Sequence, residues 1–124
     1  MAPIEKAKRI LCVEDDLDTC KLVSAFLPDF ELVSVATVKD AMRRHTEEKF
    51  SLIITDYHLV DGNGLDLCER IRLNDYQTPI VVISGDHELT IADIRIAGAQ
   101  RLIAKGSVTF LDELRSATDL LHVK

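Results

Sequence analysis

No apolar run in the 124-residue sequence approaches the roughly 20 residues that a membrane-spanning helix needs. Basic residues are in the minority: 15 Lys and Arg stand against 21 Asp and Glu, a formal net charge of −6. That balance argues against generic binding to a nucleic-acid backbone, which rewards a positive face. Met1–Ile10 carries Lys6, Lys8 and Arg9, but an acidic stretch follows in place of a long apolar segment. No secretory signal is therefore expected, and a cytoplasmic location is. Cys12, Cys20 and Cys68 are an odd set with no CxxC spacing. They are expected as reduced core residues and not as a disulfide or zinc framework. Neither Gly-x-x-x-x-Gly-Lys nor Gly-x-Gly-x-x-Gly occurs, so no glycine-rich phosphate cradle is present. Linkers, repeats and low-complexity segments are missing too. With 47% apolar and 29% charged residues, the chain is expected to form a single domain over 1–124. Its structured core is expected at about 8–122, with no output domain in these residues.

What is present is an alternation of short β-branched runs with longer stretches of helical period. Arg9–Val13, Leu32–Val35, Ser51–Thr55, Ile80–Ser84 and Leu102–Ala104 have the composition of strands. Ile10–Val13, Leu52–Ile54 and Ile80–Ile83 are apolar without alternation, the pattern of strands covered on both faces of a parallel sheet. Helices are predicted at about 17–27, 38–48, 65–73, 88–97 and 109–122. In the last, Phe110, Leu111, Leu114, Ala117, Thr118 and Leu121 repeat at intervals of three and four. Five β–α units in succession predict an α/β fold, a five-stranded parallel sheet wound on both faces.

In such sheets function gathers at the carboxyl ends of the strands. The first predicted strand runs into Glu14-Asp15-Asp16, the third into Asp56, the fourth into Ser84 and the fifth into Lys105. Each has an ordinary reading alone: helix N-termini favour acids, and loops carry polar residues. Four such groups at one rim point to a site. Three carboxylates sharing one edge repel unless a cation joins them. An all-oxygen set without His or Cys suits Mg²⁺ or Mn²⁺ over zinc. A carboxylate beside such an ion, a lysine and a hydroxyl is what an aspartyl-phosphate chemistry requires. His45, His58, His87 and His122 share no ligand spacing, and Asp61-Gly62-Asn63-Gly64 has the composition of a turn at the lip of the site.

The runs Ile10-Leu11-Cys12-Val13-Glu14-Asp15-Asp16, Ile53-Ile54-Thr55-Asp56…Asp61-Gly62-Asn63-Gly64-Leu65, Pro79-Ile80-Val81-Val82-Ile83-Ser84-Gly85 and Ala97-Gly98-Ala99…Lys105 together resemble a response-regulator receiver domain. Order and spacing hold over nearly the whole chain. The resemblance implies a flavodoxin-like fold with strand order 2-1-3-4-5, for which a receiver is itself a standard illustration. It also implies that Asp56 accepts a phosphoryl group from a histidine kinase or a histidine phosphotransfer protein. Glu14, Asp15, Asp56 and the backbone carbonyl of His58 would hold Mg²⁺ or Mn²⁺, with Glu14 acting through water. Ser84 and Lys105 would grip the phosphoryl oxygens. The domain would catalyse its own phosphorylation and dephosphorylation, turn over no separate metabolite, and act through protein contacts, with no membrane or direct nucleic-acid partner. The side chains of His58 and Asp86 would flank the path of the hydrolytic water.

Three positions depart from the family pattern: Val60 and Gly106 stand where proline is usual, and Leu102 stands at the aromatic switch position of the fifth strand. Leu102 can pack but cannot perform the same rotation with a polar tip. In the fourth helix, Leu89, Ala92, Ile96 and Ala99 share one face and are expected in the core, which turns Ile91 and Ile94 elsewhere. Ile91 and Ile94, with Leu102, are expected to mark an interaction face of the fourth helix, fifth strand and fifth helix, for a downstream partner or a second copy. Two alternatives come from other classes. One is a pseudo-receiver, an interaction module whose site is unused. The other is a small phosphatase with an Asp nucleophile, which would need a second Asp where this chain has His58.

Overall fold

Alternate residues of each central strand face opposite layers of helix, and that geometry organises the whole computed structural model, which describes residues 8–85 and 88–122. The elements in order are β1 (Arg9–Val13), α1 (Leu17–Phe26), β2 (Glu31–Val35), α2 (Val38–Glu47), β3 (Leu52–Asp56), β4 (His58–Leu59), β5 (Gly62–Asn63), α3 (Gly64–Arg72), β6 (Ile80–Ser84), α4 (Ile91–Ala97), β7 (Arg101–Ala104) and α5 (Phe110–Ala117). A 3₁₀ segment, Thr118–His122, follows α5. Five strands form one parallel sheet in the order β2-β1-β3-β6-β7. Counted within that sheet, this is the expected 2-1-3-4-5. β4 and β5 form a separate antiparallel hairpin that sequence periodicity did not reveal, because two residues per strand carry no period.

The unbroken apolar runs are explained by two cores. Leu11, Val13, Ile53, Ile80 and Val82 face α2, α3 and α4, meeting Ala41, Leu67, Ile71 and Ile94. Ile10, Leu52, Ile54, Val81 and Ile83 face the other way, against Val23, Leu27, Phe110 and Leu114. Each fully buried Leu, Ile or Val contributes about 1.5–3 kcal/mol relative to exposure. The three free cysteines are buried, as expected.

Helix ends follow side-chain chemistry. Asp16, Thr37, Asn63 and Thr90 each accept a first-turn N–H at the starts of α1, α2, α3 and α4. The predicted helix over 109–122 stops at Ala117 as α-helix. There the Thr118 hydroxyl donates to the Arg115 carbonyl at 2.6 Å and the chain tightens to 3₁₀.

The fourth helix corrects one expectation. Ile94 is 0% exposed, in the core with Ala97 and Ala99, whereas Ile96 is 85% and Ile91 58% exposed. Ile94 is therefore not an interface residue. α4 is shorter than predicted: Thr90 and Asp93 form a capping box at its start, and Gly98 ends it in the left-handed region at φ +107. Leu89 and Ala99 lie outside the helix, so a phase anchored on them was displaced.

Candidate functional site

Four strand ends of the sheet deliver the site. Glu14 directly follows β1, and its backbone N–H donates to the Val35 carbonyl at 2.9 Å, so the end of β2 fixes where Glu14 begins. Its side chain turns inward, 2% exposed, and accepts the Asp16 N–H at 3.1 Å. Asp56 is the last residue of β3, which is displaced by one position from the predicted Ser51–Thr55, and is 7% exposed. Ser84 ends β6 at 3% exposure, and its carbonyl accepts the Lys105 N–H at 3.0 Å just beyond β7. Glycine is needed at position 64, where a Cβ would lie 2.6 Å from the Asp56 carbonyl oxygen. The start of α3 can therefore close against the end of β3, with the Gly64 N–H donating to the Tyr57 carbonyl at 2.7 Å.

Lys105 reaches back over this rim. Its Nζ lies 2.6 Å from Glu14 Oε2 and 3.1 Å from Asp56 Oδ2. Burial alone would lower the lysine's pKa, but the two carboxylates outweigh it and hold the ammonium above its ordinary value. Burial pushes the Glu14 carboxyl upward even though Lys105 and the Asp16 N–H oppose it. Glu14, Asp15 and Asp56 each place a carboxylate oxygen within 4.8 Å of the others, with Asp15 on the exposed side. Three carboxylates against one ammonium leave an excess of two negative charges when all are ionised, which a divalent cation would cancel. The donor set is all oxygen and half-open to water, which fits Mg²⁺ or Mn²⁺.

The structure thus brings Glu14, Asp15, Asp56, Ser84 and Lys105 to one rim. His58 stands at its lip in β4, with an exposed side chain packed edge-on against Tyr57 at 4.7 Å between ring centroids. Asp86 and His87 lie outside the described residues. Leu102 and Ile91 belong to a different face. Leu102 pairs with Val82 in register and packs partly buried against the core. With Ile91, Arg95, Arg101 and Glu113 it lines a groove of about 310 Å³ between α4, β7 and α5. Sequence reasoning missed the Asp61 carboxylate, which reaches 23 positions back to accept the Val38 N–H at 2.8 Å. An exposed acid in a turn gives no sequence signal of such a long-range contact. Among the described residues, no helix is long and apolar enough to cross a membrane.

Comparison with known proteins gives the same picture. The family model for the response regulator receiver domain matches residues 10–118. The response regulator protein PilR of Pseudomonas aeruginosa is 34% identical over 87 residues, 68% of this chain and 20% of PilR. The chain therefore spans about a fifth of that relative's length. A two-component response regulator from Clostridium difficile superposes with a TM-score of 0.82 at 24% identity, covering 93% of this chain and 96% of that one. Response regulator TrrA from Thermotoga maritima, solved in complex with Mg²⁺–BeF, superposes at 0.80 with 22% identity, covering 92% and 98%. The order of the strands, the acidic rim and the family match over residues 10–118 agree: this chain belongs to the response regulator receiver domains of two-component systems.

Proposed function

We propose that the chain works as one receiver unit, in which Asp56 accepts a phosphoryl group from a phosphohistidine on a partner histidine kinase or phosphotransfer protein. The observation that carries this is the Lys105 Nζ at 3.1 Å from a carboxylate that is 7% exposed at a strand end. An Asp56 oxygen forms the new bond to phosphorus, and the bond from phosphorus to the imidazole nitrogen breaks. The electron pair of that bond stays on the imidazole, and the product is an acyl phosphate. Lys105 neutralises charge on the transferring oxygens, and the Ser84 hydroxyl donates to one of them. Glu14, Asp15, Asp56 and the His58 carbonyl are the residues that would hold Mg²⁺. When bound, that ion neutralises phosphoryl charge and lowers the repulsion met by an anionic donor. TrrA's Mg²⁺–BeF complex supports this reading for a chain with the same fold. Water hydrolyses the acyl phosphate and restores the carboxylate, so the unit resets without processing a separate metabolite.

Output follows as a population shift, since a phosphoryl group at Asp56 favours whichever conformation contacts it better. The α4–β7–α5 face, with exposed Ile91 and partly buried Leu102, is the surface assigned to a downstream protein or a second copy. The three buried free cysteines fit a cytoplasmic setting.

The test is the intact mass of the chain after incubation with acetyl phosphate and Mg²⁺. One added phosphoryl group is expected, absent in Asp56→Asn and in metal-free samples. No adduct with acetyl phosphate or a phosphohistidine donor would overturn the reading in favour of an interaction module with an unused site. Turnover of a small phosphate ester would favour the phosphatase alternative, against which stands His58 in place of its second Asp.

A further inference from the structure

The loop that follows Asp56 is held at its base by β3 and α3 and at its tip by a helix belonging to another part of the chain. Asp61 sits at that tip, between β4 and β5. Its Oδ1 accepts the Val38 N–H at 2.8 Å and its Oδ2 accepts the Lys39 N–H at 3.0 Å. Val38 and Lys39 are the first two residues of α2. The helix already has its own cap, since Thr37 Oγ1 accepts the Asp40 N–H at 3.0 Å. Both remaining first-turn donors therefore go to a carboxylate that lies far away in sequence. The start of a helix is its positive end, so an acid is favoured there on electrostatic grounds as well.

The hairpin needs such an anchor. β4 and β5 contribute two residues each, and an isolated two-stranded ribbon is marginal in water. The base is fixed by the Gly64 N–H on the Tyr57 carbonyl. The tip lies directly on α2: a Cβ at Gly62 would stand 3.3 Å from Val38 Cγ2, so the bare glycine backbone packs on that side chain. Between base and tip lies His58, whose carbonyl is the one main-chain oxygen assigned to the divalent cation.

We propose that Asp61 is a positioning residue for the phosphorylation site: its carboxylate, clamped on the first two N–H groups of α2, fixes the loop that offers the His58 carbonyl to the metal. This rests on the receiver reading above. The two N–H donors also hold the Asp61 carboxyl below its ordinary range. Groups that orient a metal's ligands without touching the metal alter affinity by 10–100-fold when removed. An effect near the lower limit is expected here, because only one ligand of the set is concerned.

The experiment is calorimetric titration of Mg²⁺ into the chain, with Asp61→Ala, Asp61→Asn and Thr37→Ala beside the unsubstituted protein. Thr37→Ala removes the other cap from the same helix and leaves the loop untouched. Asp61→Ala is expected to raise the Mg²⁺ Kd roughly tenfold, and the isosteric Asn, which keeps one acceptor, to raise it less. Thr37→Ala is expected to lower thermal stability with the Kd unchanged. Amide hydrogen exchange over residues 58–63 should quicken in Asp61→Ala and not in Thr37→Ala. If Asp61→Ala does not fold, Asp61→Asn carries the test, and an unchanged Kd in it overturns the proposal. An equal weakening in Thr37→Ala would reduce Asp61 to a helix cap and overturn it too. Failure of the unsubstituted chain to bind Mg²⁺ would overturn the receiver reading together with this inference. Normal binding by both the unsubstituted chain and the Asp61 variants would overturn this inference alone.

Discussion

The two ends of the sheet both gather buried or partly buried charge, yet they resolve it in opposite ways. At the amino end of β6, Asp75 accepts from the Gln77 N–H, the Thr78 N–H and the Thr78 hydroxyl at 3.0, 3.1 and 2.6 Å, and pairs with His45 Nε2 at 2.9 Å. Nearby, Arg72 donates to the carbonyls of Gly98, Asp75 and Thr78 at 2.8–2.9 Å. At the carboxyl end, Glu14 and Asp56 share one lysine, and the Asp15 carboxylate stands beside them. Burial raises the pKa of both acids, but only at Asp75 do the donors outweigh it and hold the carboxyl well below its usual range. Glu14 stays raised. The lower rim is a finished frame, with its polar groups satisfied from within the protein. The upper rim is left with an excess of negative charge among its described side chains, which a divalent cation would cancel.

Removing Lys105, the single cation of the upper rim among the described residues, should produce the largest change. Lys105→Met is expected to slow phosphorylation by acetyl phosphate on the order of 10²-fold, the usual cost of losing one donor to a developing charge. Some folding stability is lost too, since buried Glu14 and Asp56 no longer have the ammonium that offsets them, but the rate is the quantity most affected. A variant that phosphorylates at the normal rate would show that the lysine only neutralises Glu14. Arg72→Ala should do the reverse. Three carbonyls lose a charged donor, which costs about 3 kcal/mol in urea unfolding, while the extent of Asp56 phosphorylation under native conditions holds. Gly98 is bound to the same arginine, because a Cβ there would lie 2.6 Å from Arg72 Cγ. Loss of phosphorylation in folded Arg72→Ala would break the division into frame and site.

The sequence was most legible where the physics is local or strictly periodic. Unbroken apolar runs announced β1, β3 and β6, because alternate residues of a doubly covered strand must all be apolar. Glu14, Asp56 and Lys105 were legible because strand ends in a parallel sheet share one rim, whatever the loops do. What escaped depends on contacts distant in sequence. Asp61 looks like any turn acid until α2 is placed beside it. His45 and Asp75, thirty positions apart, show no sign of pairing. Periodicity turns Ile94 to the surface only when Leu89 and Ala99, each two positions outside α4, are counted in the helical phase. In a helix of seven residues, such an error turns the whole face.

The smallest expected effects sharpen the comparison most, since the two acids should respond to pH in opposite directions. A carboxyl whose folded pKa is depressed stabilises the fold above its unfolded value, and that contribution fades as pH falls through the folded value. Asp75→Asn should therefore be less stable than the unsubstituted protein at neutral pH, with the gap closing below about pH 4. Glu14 is the converse. Its folded pKa is raised, so the ionised form burdens the fold at neutral pH and the burden lifts as pH falls toward the ordinary carboxylate range. In metal-free buffer Glu14→Gln should unfold at slightly higher urea than the unsubstituted protein at pH 7, with the advantage vanishing in acid. The same substitution should weaken Mg²⁺ binding, which would make the residue that costs stability without the ion one that the ion needs. A Glu14→Gln variant less stable at pH 7 would mean that the Lys105 ion pair outweighs burial. The upper rim would then be as well satisfied as the lower.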